Sequence, residues 1–307
     1  MNRQIRRVVF MGSKRLGYLI LQEMFRHHPD RLAGAITLDD REDTRSYFQQ
    51  IQAFAHTQKI PLFIAENKQH TREIIYRLKP DMGFVAGWYW LLDHELLQFV
   101  PHGFWGIHNS LLPRYRGSAP LVWAIINGET EVGFSIFKFT PGMDDGPIWA
   151  QEKLAISPDE YVGDILHRLE QKTLEVFQTK YPRVFEHEIS AVEQDHRQAT
   201  YCAQRRPEDG RIDWRRPARE IYNFIRAQSE PYPGAFTLLR EKKLTIWKAR
   251  LFEFPYFGTP GQVARITKDG VWVICGDQRA LILTDISFDG SRTAPQQIIQ
   301  SIKIRFP

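Results

Sequence analysis

Apolar residues in the first half of the chain alternate between short continuous runs and spaced stripes. Residues 7–11 carry Val8, Val9 and Phe10 in succession, the mark of a strand buried on both faces. Gly12 and Ser13 follow. From about Lys14 the apolar residues Leu16, Leu19, Ile20 and Met24 fall on one helical face. The alternation continues with strands expected at 32–38, 61–65, 81–86 and 105–108. Helices are expected at 44–58, with Phe48, Ile51, Phe54 and Ala55 inward, and at 71–78, with Ile74, Ile75 and Leu78. Asp93 is suited to cap a further helix reaching residue 99. Strands at 132–139 and 149–154 flank a turn-rich loop, and a long helix at 161–182 places Val162, Ile165, Leu166, Leu169, Leu174 and Phe177 inward.

Strand, helix, strand repeated this often predicts an α/β domain: a mostly parallel sheet with helices on both faces. Ligands in such sheets sit at the carboxyl ends of the strands. Two segments fall there, Gly87-Trp88-Tyr89-Trp90 and His108-Asn109-Ser110. The turn at Gly12 lacks the glycine spacing of a dinucleotide fingerprint. Beyond residue 186 the pattern changes to a polar stretch without periodicity, then a helix at 217–227 and five short strands at 235–239, 243–252, 261–266, 271–275 and 280–287. Tyr-Pro-Gly, Thr-Pro-Gly and Lys-Asp-Gly turns separate them, which predicts a small β-barrel. The expected division is a catalytic domain at 1–190, a linker at 191–205 and a carboxyl-terminal domain at 206–307.

Composition narrows the class. Of 307 residues, 43% are hydrophobic and 25% charged, as in ordinary globular chains. No run approaches the roughly 20 apolar residues of a membrane span. The opening Met-Asn-Arg-Gln-Ile-Arg-Arg is followed by too short an apolar stretch for a signal peptide, so a cytoplasmic protein is expected. Two cysteines, Cys202 and Cys275, exclude a disulfide framework and a four-cysteine zinc site, and no metal is expected. The net charge of +5 is uneven: from Tyr201 onward 18 Lys and Arg face 11 Asp and Glu. A basic module can attract nucleic acid or phosphorylated ligands.

The segment from His108 to Gln151 carries the candidate chemistry. His108 ends a strand and has the titration range of a general base. Asp144 and Asp145 lie in a Gly-Met-Asp-Asp-Gly loop from which a carboxylate can orient that imidazole. Arg114 and Arg116, in a loop bounded by Pro113 and Gly117, can grip an anion.

This segment resembles the folate-dependent formyltransferases. The resemblance rests on His108, Ser110-Leu111-Leu112-Pro113, Tyr115-Arg116-Gly117, Trp123, Asn127-Gly128-Glu129, and Asp144 followed by Gly146. It extends to Ile212-Asp213-Trp214, Ile225-Arg226-Ala227 and Tyr232-Pro233-Gly234-Ala235-Phe236. The resemblance implies a Rossmann-like domain followed by an OB-like barrel, and 10-formyl-tetrahydrofolate as formyl donor. It implies that His108 and Asp144 are catalytic. The family's third residue, an Asn two positions before the His, is here Gly106; Asn109 is the candidate stand-in. The folate is expected between the loop of Gly87, Trp88, Tyr89, Trp90 and Leu91 and the loop of Met143 and Asp145. Leu111, Leu112 and Pro113 would line the other side. The indole and phenol rings suit the walls of a pterin site. Ser110, Arg114, Tyr115, Arg116 and Gly117 are expected to meet the acceptor.

Three acceptor readings follow. The stretch 227–248 looks closest to the aminoarabinose-pathway branch, which implies a nucleotide-linked amino sugar. The basic carboxyl-terminal third favours methionyl-tRNA instead, although the acidic loop at 39–45 would repel an acceptor stem. Gly106 motivates a third reading, a folate-binding hydrolase or non-catalytic sensor. A homodimer is compatible with each.

Overall fold

The computed structural model describes residues 4–186 and 189–307. Residues 1–3, part of the stretch read against a signal peptide, and 187–188, at the end of the expected catalytic domain, lie outside the described residues. The chain forms two compact units. The first comprises 1–117, 132–154 and 167–202; the second comprises 118–131, 155–166 and 203–307.

The first unit is built on a seven-stranded sheet. Its parallel part contains β1 (Val8–Gly12), β2 (Leu32–Thr37), β3 (Leu62–Ile64), β4 (Met82–Ala86) and β5 (Phe104–His108), in the order β3-β2-β1-β4-β5. A two-residue strand β6 (Arg116–Gly117) stands apart from this sheet. β7 (Glu131–Lys138) then pairs antiparallel with β5, and β8 (Ile148–Ala155) forms the edge beyond it. Every residue of β1 and β4 is buried, as continuous apolar runs covered on both faces require. The first four helices are α1 (Lys14–His27), α2 (Phe48–Thr57), α3 (Lys68–Leu78) and α4 (His94–Phe99). Asp93 caps α4 as expected, its carboxylate accepting from Leu96 N at 2.9 Å.

Strand order reverses between β1 and β4, and at such a point the connecting chain leaves in opposite directions and opens a crevice. Ser13 N donates to Ala86 O across it at 3.1 Å. A Cβ at position 12 would lie 2.2 Å from that carbonyl, so the close approach needs Gly12.

The second unit contains α5 (Pro120–Ile126), the amino-terminal part of α6 (Val162–Lys180), and, after the short β9 (Tyr201–Cys202), α7 (Ala218–Gln228). Its antiparallel sheet comprises β10 (Ala235–Leu239), β11 (Lys242–Leu251), β12 (Val263–Thr267), β13 (Gly270–Ile274), β14 (Ala280–Phe288) and β15 (Ser291–Thr293). The order is β10-β11-β14-β13-β12, with β15 paired to β14 and α8 (Pro295–Ile298) after it. This is the small β domain the turns predicted, and its bounds differ from the expected strands by two residues at most. β15 escaped prediction because Ser-Arg-Thr carries no apolar signal. Trp214, Ile225, Ile246, Val271 and Leu281 belong to its core. Among the described residues no helix is long and apolar enough to cross a membrane. Both cysteines are buried free thiols, and burial pushes Cys202 up to about 11 and Cys275 to about 12.

Candidate active site

β5 delivers His108, 9% exposed, to the carboxyl end of the sheet. Its Nε2 lies 2.8 Å from Tyr115 O. A carbonyl only accepts, so Nε2 carries the proton and Nδ1 is the atom at which His108 can gain one. Nδ1 is 3.6 Å from Asp144 Oδ2. That carboxylate also accepts from Gly117 N at 2.7 Å. Two residues 36 positions apart in sequence therefore meet, and a proton arriving at Nδ1 creates an imidazolium beside an anion.

The loop at 113–117 that supplies Tyr115 O and Gly117 N is held by residues expected to be a linker. β6 pairs with β9, Arg116 opposite Tyr201. Thr200 Oγ1 accepts from Tyr115 N at 2.8 Å, and Thr200 O accepts from Arg116 N at 2.8 Å. Gln194, 5% exposed, is the central brace. Its Oε1 accepts from Arg116 Nε and Nη2 at 3.1 and 2.6 Å, while its Nε2 donates to Asp144 O and Gly146 O at 2.8 and 2.7 Å. Residues 194–202 of the expected linker thus brace this loop, a correction to the linker expectation. A polar stretch without periodicity looks like a tether in sequence because hydrogen-bonded loops carry no apolar signal. Asp144 sits at φ 49°, a left-handed conformation unfavourable for a residue other than Gly, and Gln194 ties down its carbonyl. Gln194→Ala is therefore expected to lower turnover by about 10²-fold through misplacement of Asp144, with KM much less affected. Steady-state kinetics on the folded variant check this; a kcat within about twofold of wild type would show that the loop holds itself.

Two expected acceptor contacts are corrected by burial. Arg116 is 2% exposed, and besides Gln194 it meets His196 Nδ1 at 3.0 Å, so its guanidinium is not available to grip an anion. Ser110 is also buried, and its hydroxyl donates to Arg114 O at 2.7 Å. Arg114 is exposed, with its guanidinium 5.5 Å from the centre of the Tyr115 ring. Asn109 is half-buried and makes no side-chain hydrogen bond among the described residues.

Two of the residues expected to wall the folate, Trp88 and Trp90, are brought together. Trp88 and Trp90 pack edge to face, 5.3 Å between centres, against the apolar cluster beneath β1 and β4. Trp88 Nε1 is buried without an acceptor. Leu91 and Met143 are 84% and 57% exposed, unusual for apolar side chains and suited to cover by a ligand. These features fit a flat heterocycle with hydrogen-bonding edges. The space between the two indoles and Lys68, Thr71 and Leu96 is only about 10 Å³. Leu112 is buried, and Leu111 packs where a Cβ at Gly133 would lie, 2.3 Å from Leu111 Cδ2. Asp145 accepts from Thr140 Oγ1 within its own loop, and its second oxygen keeps acceptor capacity.

Tyr89 also departs from the expectation of a wall. Its hydroxyl donates to Asp43 Oδ2 at 2.9 Å and contacts Lys14 Nζ. Lys14 pairs with Asp40 and Asp43, both at 2.7 Å. Burial opposes the charge on Asp40 and Asp43, yet hydrogen bonds outweigh it and hold both carboxyls below their usual range. The loop read as repulsively acidic is consequently matched by Lys14, Arg41 and Arg45.

Gly106 has a steric counterpart that sequence did not reveal. A Cβ at position 106 would lie 2.0 Å from Phe139 Cε1. The space that a family Asn side chain would take is filled by the Phe139 ring. Nothing in the spacing of Gly106, on β5, and Phe139, just past the end of β7, announces that they meet.

Known proteins share this architecture. A structure of HypX from Aquifex aeolicus with tetrahydrofolic acid is 16% identical, with a TM-score of 0.65 over 96% of this chain. This chain spans about half of that protein, 47%. An N-formyltransferase from Helicobacter canadensis, in complex with folinic acid and dTDP-3-aminofucose, is 18% identical with a TM-score of 0.70, covering 91% of this chain and 98% of that one. Methionyl-tRNA formyltransferase from Clostridium thermocellum is 18% identical with a TM-score of 0.58, covering 80% and 93%. At such identities the likeness is one of fold. Sequence matches are more specific: residues 26–181 match the formyl transferase family and residues 205–302 its carboxyl-terminal domain. With the fold, the paired His108 and Asp144 and these matches in agreement, the chain belongs to the formyl transferase family.

Proposed function

We propose that this protein transfers a formyl group from 10-formyl-tetrahydrofolate to the primary amine of a nucleotide-linked amino sugar. The observation that carries the transfer chemistry is the approach of His108 Nδ1 to Asp144 Oδ2 beside a left-handed loop braced by Gln194. The donor supplies an activated formyl carbon. The neutral acceptor amine bonds to that carbon, and the carbonyl electron pair moves onto oxygen. His108 Nδ1 takes the proton released by the nitrogen, with Asp144 offsetting the imidazolium charge. When the pair returns and the bond to the folate nitrogen breaks, His108 gives the proton to that leaving nitrogen. Atoms and charge balance without a metal or redox partner.

The sugar acceptor is supported by the Helicobacter canadensis protein, whose structure holds a nucleotide-linked amino sugar and a formylated folate. Methionyl-tRNA is the alternative, and the internal pairing of Asp40 and Asp43 weakens the argument that the loop at 39–45 repels an acceptor stem. The Phe139 ring over Gly106 favours the other reading, a protein that binds folate and hydrolyses or senses it.

Thermal unfolding with 5-formyl-tetrahydrofolate and a dTDP-linked amino sugar separates these readings. At a hundred times Kd a ligand stabilises by about 2.7 kcal/mol, several degrees in Tm for a unit of this size. The sugar reading requires that shift from the nucleotide-sugar, and its absence alongside salt-sensitive tRNA binding would transfer the assignment. Folate bound against this loop would change the packing of Trp88 on Trp90. We expect tryptophan emission to change on adding 5-formyl-tetrahydrofolate, and the change to be largely lost in Trp88→Ala. An unchanged spectrum at saturating ligand would place the pterin elsewhere.

A further inference from the structure

A cavity of about 670 Å³ opens in the second unit, between the turn that ends α5 and one face of α7. That volume falls in the range of small-molecule sites, roughly 300–1,000 Å³. α7 divides its residues by face. Ile221, Tyr222 and Ile225 enter the apolar core. Arg219, Asn223 and Arg226, spaced four and three apart, line the cavity together, with Arg216 just ahead of the helix. Asn127, Glu129 and Thr130 form part of the opposite wall.

The charges do not cancel. Glu220 is taken by Arg216, Nη2 to Oε2 2.6 Å. Arg219 is exposed, stands 5.7 Å from the centre of the Tyr222 ring, and has no carboxylate partner among the described residues. Arg226 is 2% exposed, and its hydrogen bonds go to neutral groups: Nε donates to Asn223 Oδ1 and Nη1 to Glu160 O, both at 2.9 Å. Burial, with Arg219 adding like charge, pushes its pKa down even though the Asp159 carboxylate lies near enough to oppose the shift. Once Arg216 is paired, two guanidinium groups face only Glu129 in this cavity. A guanidinium offers a planar fork that matches phosphate oxygens, and an anion in the cavity would give Arg226 a charge-assisted partner beyond Asn223 Oδ1 and Glu160 O.

We propose that this cavity binds a small phosphate-bearing molecule, with Arg219 and Arg226 meeting the phosphate oxygens and Asn127 and Thr130 contacting the remainder. The proposal is independent of the formyl-transfer reading, because none of these residues belongs to the His108 site.

Calorimetric titration of the full chain with inorganic pyrophosphate, and separately with a nucleoside diphosphate, tests it. One saturable site is expected, with affinity at least about tenfold weaker in Arg219→Glu, the loss of one charge-assisted contact. Arg226→Gln should weaken binding at least as much; because Arg226 is buried and that variant can misfold, Arg219→Glu carries the test, with its Tm as the check on folding. Tighter binding of the nucleoside diphosphate than of pyrophosphate supports an organic body in the cavity, and equal affinity supports recognition of phosphate alone. The proposal fails if pyrophosphate does not bind, or binds Arg219→Glu as tightly as wild type. It also fails if a single-stranded oligonucleotide binds through Arg219 and pyrophosphate does not compete, which would make the cavity a nucleic-acid contact.

Discussion

Replacing His108 with Ala is expected to lower formyl transfer by about 10²–10⁴-fold, the usual contribution of a positioned acid–base group. The ring is held at Nε2 by Tyr115 O and faces Asp144 at Nδ1. The truncation leaves Tyr115 O without its donor, a penalty of about 1–3 kcal/mol, which a chain of this size tolerates. Loss of activity should therefore appear in a protein that still melts cooperatively and still binds folate. Asp144→Asn separates charge from shape. The side-chain oxygen can still accept from Gly117 N, but the anion that offsets an imidazolium is gone. Turnover should fall steeply while the loop keeps its conformation. Single-turnover kinetics with saturating donor and acceptor provide the measurement, and either variant keeping most of its rate would remove His108 and Asp144 from the chemistry. Because only the neutral amine attacks, wild-type kcat/KM should rise with pH across the mildly acidic range; a flat profile there would speak against an amine acceptor.

A second large effect is expected where Gly106 meets Phe139. Gly106→Ala places a methyl 2.0 Å from the Phe139 ring, and overpacking of this kind costs about 1–3 kcal/mol. At roughly 2–4 °C per kcal/mol the Tm should fall by several degrees. Gly106→Asn should be worse, since an amide must fit where a ring already stands. Phe139→Ala opens that room. The double variant Gly106→Asn with Phe139→Ala is then expected to be more stable than the sum of its single changes, because each relieves the other. If oxyanion stabilisation is what this site lacks, the new amide should also raise transfer by about 10²–10³-fold, the worth of one such donor. Thermal melts of the four proteins read the coupling, and formyl-transfer rates read the chemistry. Additive stabilities would show that Phe139 yields freely to a side chain at 106. A coupled pair without a gain in rate would show that Asn109 or a backbone N–H already serves the oxygen.

Much of the fold was legible in the chain. β1 and β4 are continuous apolar runs, α1 and α3 carry stripes at helical spacing, and Asp93 caps α4, so local preference and burial agree at these elements. The same is true of the turns that separate the strands of the second unit. Sequence likewise marked His108 and Asp144, because an imidazole at a strand end and a carboxylate in a glycine-flanked loop are residue types whose chemistry is visible one at a time. Strand direction was not legible: β7 has the composition of a buried strand whether it runs parallel or, as here, antiparallel to β5.

Local patterns along the chain specify the elements and the residues able to do acid–base chemistry, since periodicity and side-chain type are properties of short stretches. Tertiary structure alone decided which groups touch. It buried Arg116 under Gln194 and closed Trp88 on Trp90. It also set Phe139 in the space above Gly106 and gave Arg226 neutral hydrogen-bond partners in the second unit. Each of these rests on a contact between distant segments, and such contacts follow from packing that no single stretch of chain encodes.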